Sequence, residues 1–101
     1  MKIIIKSTNI ELSASLEEYV NQKIGSLDKF LKDFKPDIVE ARVEIGKPSK
    51  HHKSGPVFYA EINLRLPGKL LRAESSHVNL RSAINKARDE LEKQIEKYKY
   101  K

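Results

Sequence analysis

The sequence lacks cysteine and tryptophan, and it has no long apolar run. Without cysteine there is no disulfide, no thiolate zinc site and no cysteine nucleophile. The apolar run Ile3–Ile5 is too short for a signal peptide, and no stretch approaches the roughly 20 apolar residues of a membrane span. We therefore expect a cytoplasmic protein with no membrane partner.

The length of 101 residues suits one domain with one hydrophobic core, so we expect a single domain over residues 1–101. Hydrophobic residues make up 39% of the chain and charged residues 34%, which is typical of a globular protein. The formal net charge of +6 indicates partners that carry phosphates or other anions.

Two segments have the three- and four-residue apolar spacing of helices that are buried on one side. The first has Ser13 or Ser15 as its N-cap and is expected to run for about five turns, until Pro36. The second follows Asn79 as a cap and runs nearly to the C-terminus. The two apolar stripes consist of Leu16, Tyr19, Val20, Ile24, Leu27, Phe30, Leu31 and Phe34, and of Leu80, Ala83, Ile84, Ala87, Leu91, Ile95 and Tyr98.

Four segments are predicted as strands: Ile3–Ile5, Ile38–Ile45, Val57–Leu66 and Lys69–Ser75. The right-handed crossover rule makes the first strand parallel to the second, and the last three form an antiparallel meander. The predicted fold is α+β with the order βαβββα, a four-stranded mixed sheet with both helices on one face. Between strands, Gly46–Pro56 is predicted as a lysine-bearing loop, and Ser75–His77 as a connection to the second helix.

Positive charge is concentrated in the second half, where residues 51–101 hold eleven Lys and Arg against six Asp and Glu. Helical geometry places these cations on two edges of the second helix, one with Arg81 and Arg88 and the other with Lys86, Lys93 and Lys97. On the first helix, Lys23 lies within the apolar sector and must extend outward, while Lys29 and Lys32 lie on the solvated side. If the helices pack side by side, we expect these three lysines to meet the Lys86, Lys93, Lys97 edge.

The chain resembles the ribosome hibernation-promoting factor family along its whole length. The resemblance rests on Asn9–Ser13, on Leu16, Tyr19–Val20, Lys23–Ile24 and Leu27–Phe30, and on Ala83–Asn85 and Leu91–Lys99. The chain departs from the family pattern at Asn79–Arg81, where many members have Asp-Met-Tyr, and at Glu90, which is basic in some relatives.

This resemblance implies a fold akin to double-stranded RNA binding domains and a site on the small ribosomal subunit, near the decoding region, that blocks messenger and transfer RNA. It implies ribosomal RNA contacts from the helices, with Lys23, Lys29, Lys93, Lys97 and Lys99 as first choices and Lys32, Lys86, Arg81 and Arg88 as further candidates. Long members carry a C-terminal dimerisation domain that is absent up to Lys101. We therefore expect the short form, a monomer off the ribosome, which acts alone or with a separate ribosome-dimerising factor.

Other classes of function remain as alternatives. A general double-stranded RNA binding protein would read A-form shape with the same charges. A protein-interaction module would recruit a partner with the exposed edge strand or with Tyr59, Asn63 and Arg65 on the open sheet face. For an enzyme, His51, His52 and His77 lack the spacing of a metal or catalytic site, so we expect no catalytic residue, metal or cofactor.

Overall fold

The strands and helices follow the order βαβββα in residues 1–48 and 57–99, the part of the chain that the computed structural model describes. The strands are β1 (Lys2–Thr8), β2 (Glu40–Gly46), β3 (Phe58–Leu66) and β4 (Lys69–His77), and the helices are α1 (Ala14–Gly25) and α2 (Leu80–Lys99). Short 3-10 helices cover Ser26–Phe30 and Pro36–Ile38. Most of the predicted loop Gly46–Pro56, including His51 and His52, lies outside the described residues.

The four strands form one mixed sheet in the order β1-β2-β3-β4. β1 is parallel to β2, and the other two neighbouring pairs are antiparallel. Ile5, Val43, Ile62 and Ala73 form one cross-strand row, because each is the register partner of the next. The predicted fold class and topology are confirmed.

The core lies between one face of the sheet and the two helices. No polar or charged residue among those described is buried. The alternation of strands puts most of their apolar side chains on the covered face and most of their polar side chains on the open face. α2 packs mainly on β4 and β3, and α1 packs beside α2 and on β1. The helices contribute Leu16, Val20, Ile24, Ala83, Ile84, Ala87, Leu91 and Ile95, all of them in the predicted stripes.

The first helix is shorter than predicted, because it ends at Gly25 and continues as the 3-10 helix Ser26–Phe30. Glycine is a poor helix former, and the Ser26 hydroxyl donates to the Lys23 carbonyl oxygen at 2.6 Å, which satisfies a carbonyl of the last turn. A 3-10 helix repeats every three residues, so Leu27 and Phe30 keep their inward direction. The apolar stripe therefore continues past the end of the α-helix.

The ends of other elements also differ from the prediction. β2 begins at Glu40 rather than Ile38, since Pro36–Ile38 forms a 3-10 turn. The prediction that Ser75–His77 connects strand and helix is wrong, because these residues pair with β3 as the end of β4. At the helix starts, the Leu16 amide donates to Ser13 and the Ser82 amide donates to Asn79, each at 3.2 Å.

Candidate nucleic-acid interface

A groove of about 480 Å³ runs between the two helices on the outer surface of the helix layer. We call it the inter-helix groove. One wall is α1 with the 3-10 helix that follows it, and the other wall is the flank of α2 that faces α1. Its lining is polar and basic and consists of Gln22, Lys23, Ser26, Lys29, Asn85, Arg88 and Asp89.

Polar contacts across the groove set the spacing of its two walls. The Tyr19 hydroxyl donates to the Asn85 side-chain oxygen at 2.9 Å, and Arg88 Nε donates to the Ser26 hydroxyl at 3.0 Å. Farther along, Lys99 Nζ donates to the Phe30 carbonyl oxygen at 3.1 Å. Three contacts along the length of α2 hold the groove in a preformed geometry.

Two aromatic rings carry the cations of the groove on their faces. The Arg81 guanidinium carbon lies 4.5 Å from the Tyr19 ring centroid, and Lys23 Nζ lies 5.6 Å from the same centroid. Lys29 Nζ and the Arg88 guanidinium carbon lie 5.2 and 6.0 Å from the Phe30 centroid. A ring face attracts a cation without neutralising its charge, so these contacts position the cations and leave them able to bind an anion.

Arg88 is different from the other cations because acidic neighbours neutralise it. It pairs with Asp89 at 3.2 Å and with Glu92, and only 13% of its side chain is exposed. We call Arg88 with its partners Ser26, Asp89 and Glu92 the Arg88 brace. The brace ties α2 to the start of the 3-10 helix and leaves little of Arg88 for an external phosphate.

Lys99 is also tied to the protein, since Lys99 Nζ lies 3.7 Å from an Asp33 carboxylate oxygen. In contrast, the ion pairs found within the described ranges 1–48 and 57–99 do not include Lys23, Lys29, Lys32, Arg81, Lys86, Lys93 or Lys97. The uncompensated charge of the groove is therefore that of Lys23, Lys29 and Arg81.

The predicted meeting of Lys23, Lys29 and Lys32 with the Lys86, Lys93, Lys97 edge is wrong. Each described hydrogen bond and cation–π contact of α2 with α1 and its 3-10 extension comes from the flank that bears Arg81, Asn85, Arg88 and Lys99. Gln94 lies on the other side, where its amide nitrogen donates to the Arg72 carbonyl oxygen of β4 at 2.6 Å. Helical geometry places Lys86, Lys93 and Lys97 between Gln94 and solvent. They form a second basic edge, separated from the groove by Asp89, Glu92 and Glu96.

Lys32 lies outside the groove as well. It borders a separate depression of about 360 Å³ at the end of the helix layer, which is lined mostly by apolar residues, among them Leu31 and Phe34. Of the nine predicted contact residues, Lys23, Lys29 and Arg88 thus line the groove, and Arg81 lies at its end on the Tyr19 ring that Lys23 also contacts. Tyr19, Ser26 and Asn85 are groove residues that the charge pattern missed. A tyrosine within an apolar stripe signals them, because a half-buried hydroxyl needs a polar partner.

The open face of the sheet presents charges that are paired with one another. Arg72 lies 2.8 Å from Glu61 and 3.2 Å from Glu74. The Tyr59 hydroxyl donates to Glu44, which lowers the pKa of that carboxyl, while burial and the Glu44 bond raise the pKa of Tyr59. Because Arg72 already has two anionic partners, it attracts RNA less than the uncompensated cations of the groove do.

Among the described residues, no group of three His, Cys, Asp or Glu side chains lies in a metal-binding arrangement. His77 accepts a hydrogen bond from the Asn79 amide through Nδ1 at 2.9 Å, which gives it a role at the turn into α2. No helix in residues 1–48 and 57–99 is long and apolar enough to cross a membrane.

A family model described as sigma 54 modulation protein / S30EA ribosomal protein matches residues 3–101. Over 94% of its length the chain is 32% identical to a ribosome hibernation promotion factor of Deinococcus radiodurans, and over its full length 30% identical to that of Bacillus subtilis. These matches cover 47% and 50% of the relatives, so the chain spans about half of their length.

Two solved structures share the fold. The N-terminal domain of Thermus thermophilus Protein Y has a TM-score of 0.78 and 30% identity, and the match covers 97% of this chain and 99% of that one. A ribosomal subunit interface protein from Coxiella burnetii has a TM-score of 0.76 and covers both chains fully, and at 20% identity the likeness shows the fold alone.

Proposed function

Because the chain belongs to the sigma 54 modulation protein / S30EA ribosomal protein family, we propose that it is a cytoplasmic ribosome hibernation factor. It binds the small ribosomal subunit near the decoding region, blocks the sites of messenger and transfer RNA, and keeps the idle ribosome inactive. The names of the relatives support the hibernation role, and the basic groove supports ribosomal RNA as the binding partner.

The observation that carries the RNA-binding proposal is the convergence of uncompensated cations on one braced groove. Lys23 and Lys29 project from one wall and Arg81 from the other, and none of the three has an acidic partner among the described residues. Neutral donors from Gln22 and Asn85 lie between them. Phosphate oxygens accept hydrogen bonds from both kinds of group, so a phosphate backbone fits the groove chemically.

The proposed mechanism is occupancy rather than catalysis. The groove walls are joined by side-chain hydrogen bonds, and the core beneath them is entirely apolar among the described residues. A rigid body that is bound at a site excludes any other macromolecule from the same volume. Binding energy alone is then sufficient to stop translation, and no chemical step is required of the side chains.

The second edge of α2, formed by Lys86, Lys93 and Lys97, supplies further contacts in this proposal. Its exposed lysines lie on the same outer surface as the groove, and Asp89, Glu92 and Glu96 separate them from it. The groove edge is the stronger candidate because aromatic rings hold its cations in place. Freely rotating lysines lose more side-chain entropy when they bind.

A general double-stranded RNA binding protein is the second candidate, since exposed lysines contact phosphates regardless of sequence. The two candidates differ in what they bind best. A ribosome-specific factor binds small subunits far more tightly than an arbitrary RNA duplex at the same salt concentration. A general binder has similar affinity for both.

The test is sedimentation of the protein with small subunits in sucrose gradients, with an RNA duplex as the competing ligand, at several salt concentrations. Lys23→Ala/Lys29→Ala should make the slope of log affinity against log salt shallower by about 1.4 to 1.8, at 0.7 to 0.9 per phosphate contact. Lys6→Ala/Lys69→Ala makes the same change in charge at exposed positions of the sheet and serves as the matched control. It should leave the slope near that of the wild type.

Three outcomes would count against the proposal. Absence of co-sedimentation would remove the ribosome as partner, and equal affinity for subunits and duplex would favour the general RNA binder. Equal effects of the two double variants would show that overall charge matters and the groove does not. A third variant, Lys93→Ala/Lys97→Ala, measures the contribution of the second edge.

A further inference from the structure

Arg81 and Tyr19 form a cation–π pair at one end of the inter-helix groove. The guanidinium carbon lies over the ring at 4.5 Å from its centroid. We infer that this pair is a binding surface for an unpaired nucleobase of RNA, which stacks on the outer face of the guanidinium. The inference rests on the proposed function and adds to it a contact that reads a base rather than a phosphate.

The Tyr19 ring is fixed from two directions. Its hydroxyl donates to Asn85 of α2 at 2.9 Å, and the residue is half-buried beside the core residues of α1. Arg81 therefore lies over a ring that belongs to the opposite wall. Asn85 anchors that ring to α2, the helix that carries Arg81. The ring is in place before a ligand arrives and holds Arg81 beside it, so less ordering is required when a base binds.

The outer side of Arg81 is available to a ligand. The residue is exposed, and within residues 1–48 and 57–99 it has no ion pair and no side-chain hydrogen bond. A guanidinium that is stacked on an aromatic ring keeps its opposite planar face and its N–H groups free. RNA bases stack on arginine planes in this way and also accept hydrogen bonds at their edges.

Lys23 supplies the other half of a nucleotide site. Its Nζ lies 5.6 Å from the same ring centroid. A planar group and an ammonium group are therefore held by one aromatic side chain. Arg81 would bind the base of a nucleotide, and Lys23 would bind the adjoining phosphate of the same nucleotide. A lysine at position 81 would not bind the base, because it has no planar group.

The inferred site distinguishes unpaired from paired RNA. Bases within a duplex are stacked on each other and hidden from such a surface, whereas bases in loops and bulges are accessible. The site would therefore direct the protein to RNA that has an unpaired base next to the phosphates in the groove. Phosphate contacts alone do not provide that selectivity.

The test compares two single-stranded probes of equal length and charge, an oligoadenylate and an abasic ribose-phosphate oligomer, by fluorescence anisotropy at several salt concentrations. Arg81→Lys keeps the charge and removes the planar group. It should weaken oligoadenylate binding about fivefold or more, the loss expected for one stacked base, and leave abasic binding and the salt slope unchanged. Lys32→Ala, a change at an exposed lysine outside the groove, should affect both probes equally.

The inference is overturned if the wild type binds both probes equally, or if Arg81→Lys binds oligoadenylate as the wild type does. Sedimentation with small subunits separates this failure from failure of the proposed function. If Lys23→Ala/Lys29→Ala abolishes co-sedimentation while Arg81→Lys loses no affinity for oligoadenylate or for small subunits, the proposed function stands and the base site does not. A base preference without co-sedimentation supports the site and contradicts the ribosomal partner.

Discussion

Replacing Arg88 with alanine should destabilise the protein more than it weakens RNA binding. Arg88 bonds to Ser26 across the groove and to Asp89 and Glu92 on its own helix. Its side chain is 13% exposed, whereas 29% of the Glu92 side chain is exposed. The substitution removes three polar contacts at once and leaves a half-buried carboxylate without its partner.

The expected loss follows from the burial of the brace. A hydrogen bond to a charged group contributes about 1.5–3 kcal/mol when it is well buried, and exposed ion pairs contribute about 1 kcal/mol or less. The Arg88 brace lies between these limits, so Arg88→Ala should lower the free energy of unfolding by about 2 kcal/mol. For a domain of this size, that loss lowers the Tm by roughly 8–16 °C.

Urea denaturation followed by circular dichroism measures this loss. Lys29→Ala is the matched control, because it removes an exposed cation from the same groove and should stay within about 0.5 kcal/mol of the wild type. A double-mutant cycle with Glu92→Ala should give a coupling energy of about 0.5 kcal/mol or more. If Arg88→Ala is as stable as Lys29→Ala and reduces the salt slope of RNA binding equally, Arg88 is a phosphate contact, and the stabilising role of the Arg88 brace is refuted.

Two other predictions concern the sheet. A Cβ on Gly46 would lie 1.9 Å from the Thr8 carbonyl oxygen, so Gly46→Ala should lower the free energy of unfolding by about 2–3 kcal/mol. Gly25→Ala is the control, because a Cβ there meets nothing within 4 Å, and it should leave the stability unchanged or raise it by up to about 1 kcal/mol. Equal urea midpoints of the two variants would contradict the β1–β2 register. The Tyr59 hydrogen bond lowers the pKa of Glu44 below its ordinary value of 4.5, so it stabilises the protein above about pH 4.5, and the gain is lost as pH falls through the folded-state pKa. The stability difference between wild type and Tyr59→Phe should therefore shrink from pH 7 to pH 3 in urea titrations, and a constant difference would refute this reasoning.

The sheet and the core-facing sides of the helices were predictable because burial imposes a period on the sequence. Val43 and Ile62 alternate with polar neighbours, and the two are register partners on the covered face. In α2, the predicted stripe contains every helix residue that the structure buries. Local periodicity is sufficient for such assignments, because the strands and both helices bury their apolar side chains in one core, on the covered face of the sheet.

The end of α1 was less predictable, because α- and 3-10 helices share three-residue spacing over a short segment. Leu27 and Phe30 satisfy both patterns. Gly25 followed by Ser26 was the available signal, and the Ser26 hydroxyl does bond to the last turn of α1. A glycine in an apolar stripe is compatible with a continuous helix, so the sequence alone did not decide between the two.

Charge alone also did not decide which edge of α2 faces α1, because both edges are basic. The kind of cation carries a signal that charge does not. An arginine stacks on aromatic rings, forms several hydrogen bonds and is weakly hydrated, so it tolerates a half-buried place between two helices. Arg81 on Tyr19 and Arg88 at Ser26 use these properties.

Lysine is more strongly hydrated, and it suits an edge that faces water. Lys86, Lys93 and Lys97 are all exposed on the outer edge of α2, while both arginines of the helix lie on the inner edge, which also carries Lys99 in the last turn. Before the last turn, the position of the arginines on one edge of this amphipathic helix therefore indicates which edge packs against a neighbouring helix. It also predicts how the two edges respond to substitution. Arginine-to-lysine changes should disturb the groove, and lysine-to-arginine changes on the outer edge should leave the fold as stable as the wild type.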